Sequence, residues 1–143
     1  MTTKHVLIID DEPVICELIE ITLARMGLNS RSAMNLTDAM KLIDTEDFDL
    51  CLTDMRLPDG DGLEMVAHVQ QHHPEIPIAV ITAHGNMELA VKALKAGAFD
   101  FVSKPVDIQI LRNLVSSAIT LADEGIGGEK TGRTSITGQS PLI

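Results

Sequence analysis

Apolar residues lie along this chain in short continuous runs that are separated by longer periodic ones. The continuous runs predict strands buried on both faces, because a half-buried strand alternates apolar with polar residues. They cover residues 5–9, 50–53, 78–81 and 99–102, and a weaker short strand is predicted for 29–33. The chain is therefore expected to contain five strands.

Every predicted strand is followed by apolar residues three or four positions apart, which is the spacing of an amphipathic helix. Pro13 is tolerated in the first turn of the first helix, and Gly27 ends that helix. The third helix stops before Pro74, and Gly97 closes the fourth. The apolar stripe of the last helix ends at Ala122.

Five alternations of strand and helix predict one parallel sheet with right-handed crossovers and helices on both faces. We therefore predict a doubly wound α/β fold. In such folds the functional site lies beyond the carboxyl ends of the strands, near the switch in strand order.

The chain has 143 residues, of which 45% are hydrophobic, the size of one domain with a tail. Its net charge of −10 argues against DNA binding by this domain, because phosphate neutralisation needs clustered Lys and Arg. No apolar run approaches the ~18 residues of a membrane span, and the N-terminus lacks a signal-peptide layout, so we expect a cytoplasmic protein. Cys16 and Cys51 match no zinc or redox spacing and are interpreted as buried thiols.

From about Asp123 the helical periodicity fails, and residues 123–143 contain five glycines. We predict a folded domain over residues 1–122, followed by a flexible linker over 123–143.

Polar residues follow the buried strands at the point where each strand ends. Asp10 and Asp11 follow the first strand, and Asp54 follows the third. Thr82 ends the fourth strand, and Lys104 comes just after the fifth. Taken singly, the acids could be helix N-caps, the threonine a turn residue and the lysine a solvated charge. Their shared position at one edge of a parallel sheet favours a common site.

Three carboxylates in one pocket need a counter-charge, and Mg²⁺ prefers oxygen ligands of this kind. With the cation bound, one ionised acid could attack phosphorus and form an acyl phosphate. Lys104 and Mg²⁺ would neutralise the phosphoryl oxygens, and Thr82 would donate a hydrogen bond to one of them. Glu12, the next acid of the run, is assigned to the start of the first helix, where it meets the positive end of the helix dipole.

These motifs resemble the receiver domain of two-component response regulators over residues 4–122. The resemblance is carried by VLII before Asp10 and Asp11, LTDMRLPDGDGL around Asp54, AVI before Thr82, and FDFVS before Lys104. It implies a flavodoxin-like (βα)5 fold with strand order 2-1-3-4-5. It also implies that Asp54 is the phosphoacceptor, supplied by the phosphohistidine of a sensor histidine kinase, and that turnover is limited to slow autodephosphorylation.

The resemblance further implies a ligand set for Mg²⁺. Asp11, Asp54 and the backbone carbonyl of Arg56 would bind the cation directly, and Asp10 would bind it largely through water.

Thr82 and Phe101 match the two switch residues of the family, and Lys104 matches its phosphate-contacting lysine. Because the family often has Tyr where this chain has Phe101, the switch is expected to work through ring packing. The bond between Lys104 and Pro105 is often cis in the family. Phosphorylation is expected to alter the face made by helix four, strand five and helix five, and with it the formation of a homodimer.

The stretches ITAHGN, ALKAGAFDFVSKP and SITGQSPLI resemble the NtrC-like activators of sigma-54 polymerase. Within that group, LIEITLARMGL and FDLCLTDMRLPDGDGL are similar to the regulators of type IV pilus genes. The group implies an ATPase domain after the receiver, and TGQSPLI resembles its start. DNA and sigma-54 polymerase would then be partners only through domains absent from this chain, and no membrane partner is expected.

Two other functions remain open on the sequence. Mg²⁺-dependent phosphatases also use an aspartate nucleophile on an α/β sheet, but they usually carry Asp-x-Asp on the first strand, whereas Asp10 and Asp11 are adjacent. An interaction module with a vestigial pocket is disfavoured by the complete set of polar residues. The histidines could suggest a transition-metal site, but His72 and His73 end a helix beside Pro74, where a cation complements the helix dipole.

Overall fold

The computed structural model of the chain describes residues 3–83 and 85–127. Its main sheet contains the strands β1 (His5–Ile9), β2 (Asn29–Ala33), β3 (Leu50–Asp54), β4 (Ile78–Thr82) and β5 (Asp100–Ser103). The helices are α1 (Pro13–Arg25), α2 (Leu36–Thr45), α3 (Gly62–His72), α4 (Met87–Lys95) and α5 (Ile108–Gly127).

All five strands of the main sheet are parallel and lie in the order β2-β1-β3-β4-β5. The order reverses at β1, which pairs with both β2 and β3, so the switch point lies between the ends of β1 and β3. The predicted flavodoxin-like fold and its strand order are confirmed.

Consecutive residues of β1 enter two different cores, one on each face of the sheet. Val6 and Ile8 pack on the side of α1 and α5, whereas Leu7 and Ile9 pack on the side of α2, α3 and α4. All four side chains are fully buried. Burial on both faces is why this strand reads as a continuous apolar run, and each such side chain contributes roughly 1.5–3 kcal/mol to folding.

A small hairpin that the sequence did not predict follows β3. Its strands, Arg56–Leu57 and Gly60–Asp61, pair in antiparallel orientation over two residues each. The carboxylate of Asp59 accepts hydrogen bonds from the backbone N–H groups of Leu36 (2.7 Å) and Thr37 (3.0 Å), at the start of α2. The hairpin is therefore tied to α2 and holds the chain that follows Asp54.

The last helix is longer than the sequence pattern indicates. It continues through Gly127, five residues beyond the predicted end at residue 122, and the rest of the expected linker lies outside the described residues. A helix tolerates an isolated glycine at a cost of about 1 kcal/mol, so glycine content alone does not fix where it ends. None of the described helices is long and apolar enough to cross a membrane.

Candidate functional site

Four carboxylates meet at the carboxyl edge of the sheet. Asp10 follows β1 and Asp54 ends β3, and both are buried, whereas Asp11 and Glu12 are exposed. One oxygen from each of the four lies within 4.8 Å of the others. The structure thus brings together the three acids expected from the sequence and adds Glu12 as a fourth.

Lys104 lies among these acids. Its Nζ is 3.1 Å from Asp54 Oδ2, 2.7 Å from Glu12 Oε2 and 3.5 Å from Asp10 Oδ2. Burial disfavours the charged ammonium, but the hydrogen bonds to Glu12 and Asp54 outweigh it and raise the pKa of Lys104 above its usual value. The pocket therefore holds a permanent cation beside the Asp54 carboxylate.

The backbone places Lys104 at this edge through β4. Its N–H donates a 2.7 Å hydrogen bond to the carbonyl of Thr82, the last residue of the strand. The Lys104–Pro105 peptide bond is cis, as the resemblance implied.

Glu12 lies at the start of α1, as the sequence analysis assigned it, and its carboxylate makes a further contact that the sequence did not predict. Glu12 is the N-cap residue of α1, but its carboxylate makes no capping hydrogen bond and instead binds Lys104. The two residues are 92 positions apart, so no local pattern could have revealed the contact. Asp11, a candidate for the N-cap on the sequence, is not the N-cap residue, because Glu12 occupies that position.

Asp10 combines deep burial with an incomplete set of hydrogen bonds. Its Oδ1 accepts from the N–H of Glu12 at 2.9 Å, but its Oδ2 makes no hydrogen bond with any described residue. Burial, reinforced by the charge of Asp54, raises the pKa of Asp10 to about 6. An unsatisfied buried oxygen of this kind is uncommon in folded proteins and marks a place where a cation would be favourable.

Asp54 lies where the chain turns tightly from β3 towards α3. Its Oδ1 accepts from the N–H of Arg56 at 3.4 Å. A Cβ at Gly62 would lie 2.6 Å from the backbone oxygen of Asp54, so only glycine fits at this first position of α3. The N-cap of the same helix is Asp61, which forms a reciprocal capping box with Glu64.

The two predicted switch residues lie on neighbouring strands and on one face of the sheet. Val80, two residues before Thr82, and Phe101 belong to the core on the side of α2, α3 and α4. Since alternate residues of a strand share a face, Thr82 faces the same side as Phe101. Thr82 is buried and Phe101 is half-buried.

The donor set suits Mg²⁺ rather than a softer metal. All four side chains of the cluster offer carboxylate oxygens, one of these oxygens is buried and unsatisfied, and Asp11 is exposed. Mg²⁺ binds through one or two carboxylates while it retains waters and takes phosphate oxygens. Asp10, Asp11 and Asp54 could hold it.

Comparison with known protein families identifies the family to which the chain belongs. Residues 6–116 match the family described as the response regulator receiver domain. The chain belongs to this family. A receiver domain is a signalling domain.

This receiver domain is 58% identical over 121 residues to the response regulator protein PilR of Pseudomonas aeruginosa. The matched residues cover 85% of this chain and 27% of PilR. It is 34% identical to the DNA-binding transcriptional regulator NtrC of Proteus hauseri, over 84% of the chain and 25% of that protein. The chain thus spans about a quarter of the length of these curated relatives. Their names agree with the subfamily that the sequence motifs indicated.

Among solved structures, the receiver domain of NtrX from Brucella abortus superimposes with a TM-score of 0.77 and 32% identity. The match covers 80% of this chain and 98% of that one. The receiver fold of the chain therefore agrees with an experimental structure of a related domain.

Proposed function

We propose that this receiver domain accepts a phosphoryl group on Asp54 from the phosphohistidine of a sensor histidine kinase. The observation that carries the proposal is the Lys104 ammonium, 3.1 Å from Asp54 Oδ2 in a pocket that also contains the unsatisfied Asp10 oxygen. A phosphoryl group on Asp54 would enter a site that already contains one cation and is suited to a second.

The proposed transfer is a nucleophilic displacement at phosphorus. A carboxylate oxygen of Asp54 attacks, the bond between phosphorus and the imidazole nitrogen breaks, and the imidazole leaves with the electron pair. Asp11, Asp54 and the Arg56 carbonyl would hold Mg²⁺ directly, with Asp10 largely through water, and the cation would supply charge neutralisation for the phosphoryl oxygens. Lys104 supplies the matching charge from the protein side, and its raised pKa keeps it protonated.

The output is proposed to be a change on the face formed by α4, β5 and α5. Thr82 would donate a hydrogen bond to the phosphoryl group and draw the following loop towards it, and Phe101 would repack into the space released. Among the described residues, α4 and α5 expose six large apolar side chains, which are Met87, Val91, Leu94, Ile108, Ile110 and Leu121. Their exposure supports a homodimer contact that phosphorylation controls.

The relatives support a wider assignment for the whole protein. We propose that the domain is the cytoplasmic regulatory part of a sigma-54-dependent transcription activator, by analogy with NtrC and PilR. DNA and polymerase contacts would belong to other domains.

The Asp54→Asn variant tests the phosphoacceptor. The wild-type chain incubated with acetyl phosphate and Mg²⁺ is expected to gain one phosphoryl group per molecule by mass spectrometry, and Asp54→Asn none. Asp47→Asn, which removes an exposed carboxylate in the loop after α2, serves as the matched control and should be phosphorylated normally. Stoichiometric phosphorylation of Asp54→Asn would assign the acyl phosphate elsewhere.

The same reaction separates a receiver from a phosphatase. A receiver stops after about one phosphoryl group per chain, because the product remains on Asp54. Continuous release of phosphate from a small ester at many equivalents per chain would instead identify a phosphatase.

A further inference from the structure

Asp44 of α2 lies between two histidines of α3 and its C-terminal end. Its Oδ1 is 2.9 Å from His68 Nε2 and 2.7 Å from His73 Nε2. Both imidazole nitrogens therefore point at one carboxylate oxygen, and the three ligand atoms lie within 4.8 Å of one another. This group shares no residue with the acidic pocket.

The two rings are held in place, whereas the carboxylate can adjust. The side chains of His68 and His73 are 18% and 22% exposed, and that of Asp44 is 45% exposed. The backbone of His73 is fixed on both sides, because its N–H donates to the carbonyl of Val69 (2.7 Å) and its carbonyl accepts from the N–H of Ile76 (3.0 Å). The site is therefore rigid on its histidine side.

The spacing is close to that of a tetrahedral zinc site. Zn²⁺ binds imidazole nitrogen and carboxylate oxygen at about 2.1 Å, which places neighbouring ligand atoms about 3.4 Å apart. Asp44 would have to withdraw from the two nitrogens by only about 0.6 Å to admit the ion. Two histidines and one carboxylate leave a fourth position for water.

A metal requires deprotonated ligand atoms, so each imidazole would bind through a Nε2 without a proton and carry its ring proton on Nδ1. Without a metal, the same contacts form a hydrogen-bonded link between α2 and α3, and a binding measurement distinguishes the two.

We propose that Asp44, His68 and His73 form a Zn²⁺ site that joins α2 to α3. Imidazole and carboxylate ligands of this kind suit zinc, and Co²⁺ can replace it as a spectroscopic probe. The sequence interpretation of His73 as a helix-terminating residue missed this arrangement, because Asp44 lies 29 positions away from it.

The test is a calorimetric titration of the 143-residue chain with Zn²⁺. With Mg²⁺ in excess to occupy the acidic pocket, one equivalent of Zn²⁺ is expected to bind, and His68→Gln and His73→Gln should each weaken binding at least tenfold. Glutamine retains an amide donor for Asp44, so these variants preserve the hydrogen-bonded link while losing the imidazole ligand. The absence of saturable binding, or binding unchanged in both variants, would overturn the proposal.

Two further measurements locate the ion. Asp11→Asn, which alters the acidic pocket, should leave zinc affinity unchanged, and loss of binding in this variant would move the ion to that pocket and overturn the proposal. Co²⁺ added to the wild-type chain should give visible absorption bands of a four-coordinate site. The bands should disappear in His73→Gln, and their persistence there would contradict the assignment.

Discussion

Asp10 is the residue whose environment departs most from that of an ordinary surface acid. It is fully buried, one of its oxygens is unsatisfied, and its pKa is raised to about 6 mainly by burial. An acid whose pKa is raised in the folded state has no effect on stability while it is protonated in both states, and it opposes folding as the pH rises and it becomes ionised. Asp10 therefore lowers the stability of the metal-free protein at neutral pH, although its carboxylate favours a bound cation.

The Asp10→Asn variant measures this cost. In the absence of Mg²⁺, its free energy of unfolding at pH 7.5 should exceed that of the wild type by on the order of 2 kcal/mol, because no charge is buried. The gain should fade as pH falls through about 6, where Asp10 becomes protonated, and should be absent below 3.8. Urea denaturation at several pH values gives the difference directly.

Asp11→Asn is the control, because this neighbouring carboxylate is exposed. The difference in free energy of unfolding between Asp11→Asn and the wild type should show no comparable change near pH 6. A constant difference between Asp10→Asn and the wild type from pH 7.5 to 4 would contradict the argument.

At the scale of elements, the site depends on how closely α3 approaches the end of β3. The first residue of α3, Gly62, donates its N–H to the carbonyl of Met55 at 2.8 Å. A Cβ at this position would meet backbone atoms of Asp54 and Met55 at 2.6 and 3.1 Å. Backbone atoms cannot rotate away as a flexible side chain can. The start of α3 at Gly62 therefore helps to fix the position of Asp54.

Gly62→Ala should therefore lower stability although alanine is the better helix former. We expect a loss of about 1–3 kcal/mol from overpacking, against a helix-propensity gain of at most about 1 kcal/mol. Phosphorylation by acetyl phosphate should slow as well, because the Asp54 backbone is displaced. Urea denaturation and mass spectrometry provide the two readouts, and a stabilised variant with a normal rate would refute the close-approach argument.

The sequence predicted those parts of the fold and site that depend on strands. A continuous apolar run ends abruptly at Asp10 or Asp54, and the geometry of a parallel sheet then brings the ends together whatever their distance along the chain. The contacts of Glu12 with Lys104 and of Asp44 with His73 were not predicted, because they join side chains of separate elements with no periodic signal. The hairpin after β3 was missed since each of its strands is only two residues long.

On the scale of the whole molecule, β1 lies between two cores and positions Asp10 and Asp11 at the switch in strand order. The proposed output face includes exposed apolar residues of α4 and α5, and β5, which contains Phe101 and precedes Lys104, lies between these helices in the chain. Under the proposed function, a change at Asp54 would reach this face through β5.

Sizing of the 143-residue chain with and without beryllofluoride and Mg²⁺ tests this connection. Beryllofluoride stands in for the phosphoryl group, so the distribution between monomer and dimer is expected to change when both are added. Asp54→Asn should show no change under the same conditions. An unchanged mass and shape for the wild type, measured by light scattering and small-angle scattering, would exclude phosphorylation-controlled dimerisation.

The contacts of Lys104 with Asp10, Glu12 and Asp54 bear on how readily the proposed phosphorylation is reversed. An ammonium that already binds Glu12 and Asp54 would exchange partners when a phosphoryl group arrives, rather than acquire new ones, so the net gain in hydrogen-bond energy is small. If Asp54 accepts the phosphoryl group as proposed, Glu12 would compete with it for Lys104 and keep the two states close in free energy. A phosphorylation that is readily reversed requires that the phosphorylated and unphosphorylated states have similar free energies.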